Sequence, residues 1–212
     1  MKTAISFQQK KRNAAKLISC VVALAGITVI IGWIFDIRSL ISIRPEWISM
    51  KFSTAFCFIL SGVTLYFIAR ALEGELDAVQ VILPITSLVL ILFMGTFFFS
   101  FITGVHIGLE DLFFRDVTLV PTSVAPGRPS LPTMINFLLV AVASFLILLN
   151  NDSVRSKLRL IGFVISAVGL LAVIGYVFNV PLFYYYIRGI NSAVACHTAI
   201  LFVVLGAGFL CL

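Results

Sequence analysis

Two histidines are the residues of this sequence best suited to ligand chemistry, because a neutral imidazole can bind haem iron or a metal ion. His106 and His197 both fall near the ends of long apolar runs. Neither has a second candidate ligand three or four residues away, and the chain has no other histidine. Two interpretations stay open: haem held through His106 and His197, or hydrogen bonding of each histidine near a helix end. The lack of second ligands favours hydrogen bonding, and otherwise the sequence does not indicate a cofactor.

A second group of candidates consists of charged and amide side chains close to the histidines. Glu110 and Asp111 lie in a polar stretch over residues 104–130, and Arg128 lies at its end. Asn136 is an amide within an apolar run, and such residues usually face the interior of a helix bundle. The alternatives are surface pairing, worth about 0–1 kcal/mol, and hydrogen bonding between helices. The predicted ligand-binding residues are His106, Glu110, Asp111, Arg128, Asn136 and His197, for a ligand of unknown identity.

Motifs that would indicate catalysis are missing from the sequence. It has no glycine-rich phosphate loop, no HExxH and no GxSxG pattern, so we predict neither catalytic residues nor an enzyme for the chain as given. The four cysteines all fall in apolar runs without CxxC spacing. We interpret them as small packing residues and predict no metal site.

The composition indicates the class of protein that positions these residues. Hydrophobic residues make up 61% of the 212 residues and charged residues 11%, against about 25% charged in soluble domains, and the mean hydropathy is +1.14. We predict an all-α membrane protein with six transmembrane helices, because each apolar run has the roughly 20 residues that cross a bilayer. The predicted spans cover residues 14–35, 53–72, 79–103, 131–150, 158–178 and 192–212.

The distribution of Lys and Arg predicts the orientation of these spans. Residues 1–13 form a basic N-terminus, and the loop around residues 151–159 is also basic. Because basic residues favour the cytoplasmic side, both termini are expected there. The net charge of +6 arises at the ends of apolar runs, so we expect the bilayer and not nucleic acid as the partner.

A spacing of Thr-x-x-x-Phe recurs where three of the apolar runs begin. We interpret the chain as three repeated helix–loop–helix units and expect the threonines to cap or back-bond the start of the second helix of each unit. The first helices also correspond, because Gly32–Ile37 parallels Gly175–Val180, with an aromatic residue and then a helix-ending Asp or Asn. Phe101–Val105 is a weaker middle copy. The repeat residues are Thr54, Phe58, Thr133, Phe137, Thr198 and Phe202.

These motifs carry a resemblance to a known family. The segments LPTMINFLLV, FSTAFCFILS, CHTAILFVVL and GVHIGLEDLFF are similar to motifs of the multi-span membrane input domains of bacterial sensor histidine kinases and diguanylate cyclases. The resemblance extends from about Val21 onward. It implies a domain of the bacterial inner membrane that passes an extracytoplasmic or membrane-borne signal to a C-terminal cytoplasmic module. The full-length protein would then be a histidine kinase of a two-component system or a diguanylate cyclase, and a homodimer through that module.

The end of the sequence adds to this expectation. Cys211 and Leu212 still belong to an apolar run, and no basic residue follows them. We therefore expect a cytoplasmic output module after residue 212. The alternative is a small transporter-like or scaffold protein of the membrane, although the middles of the spans are almost free of ionisable groups.

Overall fold

The computed structural model of the protein describes residues 2–105, 108, 127–149 and 153–212, and side chains from residue 8 onward. Within these ranges the chain is all-helical, and its one β-bridge, between Ile187 and Asn191, is isolated. The helices are α1 (Lys2–Ile34), α2 (Arg38–Ile41), α3 (Phe52–Ala71), α4 (Val79–Thr103), α5 (Leu131–Leu148), α6 (Val154–Phe178) and α7 (Cys196–Leu210).

Five of these helices are long and apolar enough to cross a membrane: α1 from Gln8 onward, α3, α4, α5 and α6. This confirms the predicted helical character, and the five long apolar helices are consistent with a membrane protein. The predicted starts of α1 and α6 are too late, because these helices begin at Lys2 and Val154 and not at residues 14 and 158. Polar residues outside a membrane can continue a helix whose apolar part is fixed by packing, so the apolar pattern locates only the inserted part.

The predicted sixth span, residues 192–212, contains a shorter helix than expected. Helix α7 has 15 residues, or about 22 Å at 1.5 Å per residue. The segment before it is extended because Asn191 ties it down: its side-chain oxygen accepts from the Leu131 amide at 3.0 Å, and its Nδ2 donates to the Tyr185 carbonyl at 2.7 Å. Residues 191–195 are buried in this conformation.

The helices form a closed ring with three members nearer the centre. Helix α1 packs most extensively against α3, α4 against α5, and α6 against α7. Further contacts join α3 to α4, α5 to α6 and α7 to α1, and α3 also touches α5 and α7. We call α3, α5 and α7 the central helices and α1, α4 and α6 the peripheral helices. The peripheral helices expose many large apolar side chains, such as Leu24, Leu88 and Phe163, as a lipid-facing surface requires.

Glycines allow close packing in two of these helix pairs. A Cβ on Gly26 of α1 would lie 2.7 Å from the Ala55 carbonyl oxygen of α3, and a Cβ on Gly169 of α6 would lie 2.6 Å from the Ala199 carbonyl oxygen of α7. Small residues are the usual means by which membrane helices approach closely. The two contacts are equivalent, because Ala55 and Ala199 each directly follow the threonine of the Thr-x-x-x-Phe spacing.

The first and last helix pairs also share the connection that leads into the central helix. Asp36 and Asn179 have positive φ values of 51° and 54°, and each ends its peripheral helix as predicted. The backbone amide of the next residue, Ile37 or Val180, donates a hydrogen bond of 2.8 Å to the carbonyl oxygen five residues before it, that of Gly32 or Gly175. These are the C-terminal bonds of a Schellman motif, which turns the chain out of a helix.

At the opposite end of the bundle, an ionic cluster fixes the turn between α3 and α4 to α1. The Glu73 carboxylate contacts Lys16 Nζ at 2.5 Å and Arg12 Nε at 3.5 Å. Gln9 also donates to Glu73 at 3.2 Å. The polar N-terminal part of α1 is therefore part of the bundle and not a separate tail.

Candidate functional site

Three phenylalanines from the three central helices meet at the centre of the bundle. The Phe58 ring centroid lies 4.9 Å from those of Phe137 and Phe202, and the latter two are 5.2 Å apart. All three side chains are fully buried. These separations lie in the range preferred by tilted and edge-on aromatic pairs. We call this group the Phe triad, and it contains the phenylalanine of each Thr-x-x-x-Phe spacing.

One helical turn before the triad, the three threonines surround a small cavity. Thr54, Thr133 and Thr198 all line it, and its volume is about 10 Å³. A cavity of this size has room for about one water-sized particle. We call it the triple-start cavity, because the first turns of all three central helices reach it.

The residues that precede these helices show that the predicted threonine caps are wrong. The N-cap positions belong to Lys51, Ser130 and Ala195, each three residues before its threonine and each with extended backbone angles. None of the three N-cap side chains makes a capping hydrogen bond. Each helix begins two residues before its threonine, so the threonines lie inside the first turn. Thr133 instead shares a hydrogen bond of 2.8 Å with the Ser130 hydroxyl.

The described residues that line the triple-start cavity carry positive charge and no carboxylate. Lys51 is only 6% exposed, and Arg128 lines the same cavity with its guanidinium 5.4 Å from the Phe101 ring centre. Ser49 also lines it, is 5% exposed, and its Oγ has no hydrogen-bond partner among the described residues. The site therefore combines two cations, an unpaired hydroxyl and three helix N-termini, whose partial charges are positive.

The predicted ligand residues are only partly brought together. His106, Glu110 and Asp111 lie outside the described residues, and their grouping stays a prediction. Arg128 lines the triple-start cavity, whereas Asn136 and His197 are not among the residues that line it. Both nitrogens of His197 and both polar atoms of Asn136 are buried without a hydrogen-bond partner in the described part of the chain.

The structure does not test whether His106 and His197 could bind one haem, because His106 lies outside the described residues. In the described ranges, no group of three or more His, Cys, Asp and Glu side chains could hold a metal ion. The four cysteines are free thiols, and Cys57 is fully buried in α3. Haem ligation through His106 and His197 stays a prediction.

A group of aromatic side chains joins the two described loops at the same end of the bundle. The Trp47 ring lies 4.8 Å from Tyr176, which stacks on Tyr184 at 4.6 Å. The Arg44 guanidinium lies 4.8 Å from the Trp47 ring centre. Burial, with a smaller contribution from Tyr186, raises the pKa of Tyr184 above its ordinary value. Aromatic rings therefore pack between the two loops at this end of the bundle.

Several residues of the site were not indicated by the sequence analysis. Lys51 and Ser130 occupy equivalent positions, three residues before a repeat threonine, and aligning the three copies would have identified them. Ser49 and Asn191 gave no comparable signal. Each is a single polar residue in a loop, and its role depends on chain segments brought together from distant parts of the sequence.

Comparisons with known proteins do not identify a relative. No family model, no curated protein and no solved structure matches the chain.

Proposed function

We propose that the chain is the transmembrane signal-input domain of a bacterial signalling protein. Its bundle binds or senses a stimulus at the outer end and passes a helix displacement to a C-terminal cytoplasmic module, either a histidine kinase or a diguanylate cyclase. The motif resemblance supplies the class of output, and the geometry of the bundle supplies a route for the signal.

The convergence of the three Thr-x-x-x-Phe segments is the observation that carries this proposal. Their threonines surround one polar cavity and their phenylalanines meet directly below it. Helices from distant parts of the chain therefore share one cavity and one packed core. A stimulus that alters the cavity acts on all three central helices at once.

Six spans arranged as three two-helix units fit this proposal. The closest pairs are α1 with α3, α4 with α5 and α6 with α7, which supports the unit boundaries. The sixth pass consists of α7 together with the extended residues 191–195. Non-helical backbone is tolerated at membrane depth when protein surrounds it, and these residues are buried.

The proposed orientation puts both termini in the cytoplasm and the triple-start cavity at the outer end. The basic N-terminal part of α1 then lies at the cytoplasmic surface, in accordance with the positive-inside rule. Its cluster with Glu73 holds the cytoplasmic ends of α1, α3 and α4 together. A displacement of the central helices is passed on through those ends.

Signalling in this scheme requires two packing states of the bundle. A ligand shifts their populations only if it binds one state more tightly than the other. Asn136 and His197 have buried polar atoms without partners, which costs stability in the present packing. In a second packing state these polar atoms would be hydrogen-bonded. Asn136 and His197 would then stabilise that state relative to the present one.

The coding sequence after the codon for Leu212 tests the class of protein. We expect an uninterrupted frame that encodes a kinase or cyclase module. A stop codon directly after Leu212 would contradict the proposal and favour a small transporter-like or scaffold membrane protein.

A further inference from the structure

We propose that the connection between α1 and α3 binds a small, mostly apolar molecule that carries one hydrogen-bond acceptor oxygen. The site is a cavity of about 290 Å³ whose described lining residues all lie between Arg38 and Ser49, and we call it the loop cavity. The juxtaposition that carries the proposal is this cavity with the buried, unpaired hydroxyl of Ser49 in its wall. The inference rests on the proposed function only for the role of the ligand as a stimulus at the outer end.

Hydrogen bonds within the connection hold the loop cavity in shape. The Met50 amide donates to the Ile41 carbonyl oxygen at 2.9 Å and joins the two ends of the segment that forms the cavity. The Ser42 hydroxyl lies 2.6 Å from the Arg44 carbonyl oxygen and 3.1 Å from that of Trp47. Compact loops whose ends lie close together are frequently functional. Because the fold itself forms this cavity, less ordering is needed when a ligand binds.

The walls and the size of the loop cavity define the apolar part of the ligand. Its apolar lining residues are Ile41, Ile43, Pro45 and Trp47. Small-molecule sites are typically lined by apolar and aromatic side chains with a few polar groups, and their volumes begin at roughly 300 Å³. At about 30 Å³ for each water-sized group, the cavity holds about ten non-hydrogen atoms. The ligand is therefore a compact molecule such as a single substituted ring.

Ser49 provides the polar contact of the site. Its side chain is buried, and its hydroxyl has no hydrogen-bond partner among the described residues, whereas buried polar groups are nearly always hydrogen-bonded. A serine hydroxyl can donate to a carbonyl oxygen. Arg38 and Ser39 also line the cavity, but both are exposed and can be hydrated. The contact made by Ser49 joins neutral groups, so it does not depend on the net charge around the cavity.

Ser49 also connects the loop cavity to the triple-start cavity, because it lines both. The next residue, Met50, accepts the hydrogen bond from the Trp33 indole at 2.9 Å. Lys51 follows it as the N-cap residue of α3. A ligand bound to Ser49 therefore acts on the segment that begins a central helix. In the proposed signalling scheme, it shifts the bundle if it binds one packing state more tightly than the other.

The test measures binding of para-fluoroacetophenone to the full chain in lipid nanodiscs. This aryl ketone has the expected size of about ten non-hydrogen atoms. Broadening of its ¹⁹F resonance reports binding, and empty nanodiscs correct for partition into lipid. We expect saturable binding that is about 2- to 10-fold tighter than that of para-fluoroethylbenzene, which lacks the oxygen, as for one neutral hydrogen bond. Broadening no greater than in empty nanodiscs would overturn the proposal, and equal affinity of the two probes would overturn the hydrogen bond.

Variants locate the probe within the protein. Ser49→Ala is expected to weaken binding of the ketone about 2- to 10-fold and to leave the hydrocarbon unaffected, so that the preference for the oxygen disappears. Ser53→Ala is the matched control, because the Ser53 hydroxyl is also buried and unpaired in the described part of the chain but does not line the loop cavity. Ser39→Trp adds a large ring at the exposed side of the cavity and is expected to weaken binding of both probes.

Three results would contradict the assigned site. They are an unchanged preference for the ketone in Ser49→Ala, an equal loss of that preference in Ser53→Ala, and unchanged binding of both probes in Ser39→Trp.

The outcome is separable from that of the proposed function. Binding of the ketone through Ser49 in a protein whose gene encodes no output module would leave this site intact and contradict the signalling role. An output module without saturable binding of the ketone would overturn this inference alone.

Discussion

The indole N–H of Trp33 donates a hydrogen bond of 2.9 Å to the carbonyl oxygen of Met50. The Tyr176 hydroxyl donates in the same way to the carbonyl oxygen of Val194 at 2.8 Å. Met50 and Val194 each lie four residues before a repeat threonine. Two chemically different side chains therefore make the same connection, from a peripheral helix to the segment that leads into its central helix. These bonds attach α1 and α6 to the edge of the triple-start cavity.

Removal of the Tyr176 hydroxyl tests this connection with little change in shape. We expect Tyr176→Phe to lower the free energy of unfolding by about 1–3 kcal/mol, because the buried Val194 carbonyl loses its partner. Tyr66→Phe is the matched control, since no hydrogen bond is found for the Tyr66 hydroxyl in the described residues. Denaturant titration in detergent measures both. Equal effects of the two substitutions would contradict the role of the Tyr176 bond.

The Phe triad is expected to be the most sensitive part of the core. Phe137→Ala should destabilise the bundle by about 3 kcal/mol or more, because it leaves a cavity among fully buried rings. Phe163→Ala, on α6, is the control, since that side chain is 62% exposed and has few protein contacts to lose. Thermal unfolding of the two variants in detergent checks the difference. A larger loss for Phe163→Ala would show that the centre of the bundle has been assigned wrongly.

Close approach of α6 and α7 at Gly169 leads to a third prediction. Gly169→Val is expected to destabilise the bundle by about 1–3 kcal/mol, because the added atoms overlap the Ala199 carbonyl region of α7. Gly95→Ala is the control: its Cβ would meet only Ile91 Cγ2, at 3.9 Å. That change is expected to be neutral or stabilising, since Ala is the better helix former. Destabilisation by both would indicate that glycine is required for another reason.

Cysteine labelling tests the proposed orientation. In a variant without the four native cysteines, Glu46→Cys is expected to react with a membrane-impermeant maleimide in intact cells. Glu75→Cys, in the turn between α3 and α4, is expected to react only after permeabilisation. The positions are matched because both native side chains are exposed. Labelling of Glu75→Cys in intact cells would contradict cytoplasmic termini.

Much of the fold follows from the sequence because apolar periodicity and length determine where helices insert in a bilayer. Helices α3 and α4 begin within a residue of the predicted positions 53 and 79. The start of α1 was not predictable in the same way, because the polar residues before its apolar part remain helical through contacts with Glu73. Such contacts join residues more than 50 positions apart and leave no local pattern.

The candidate site was predicted at the repeat positions and at Arg128, but not at its other lining residues. The Thr-x-x-x-Phe spacing identified the residues that surround the cavity and form the triad, because equivalent positions converge when similar segments pack around one axis. It did not identify the chemistry, since the cations come from Lys51 and Arg128, which lie in different connections. The interpretation of the threonines as caps was wrong because each of these helices begins two residues before its threonine, so the cap position belongs to the residue three positions before it.

The activity of the full-length protein, reconstituted in vesicles, tests the proposed function most directly. We expect either autophosphorylation or cyclic-dinucleotide synthesis. Asn136→Leu should change its basal rate at least several-fold while the bundle stays folded, because it removes the fully buried, unpaired amide. Val142→Leu, on the exposed side of α5, should leave the rate unchanged. Absence of both activities, or a rate unaffected by Asn136→Leu, would contradict a signal-input domain in which this buried group acts as a switch.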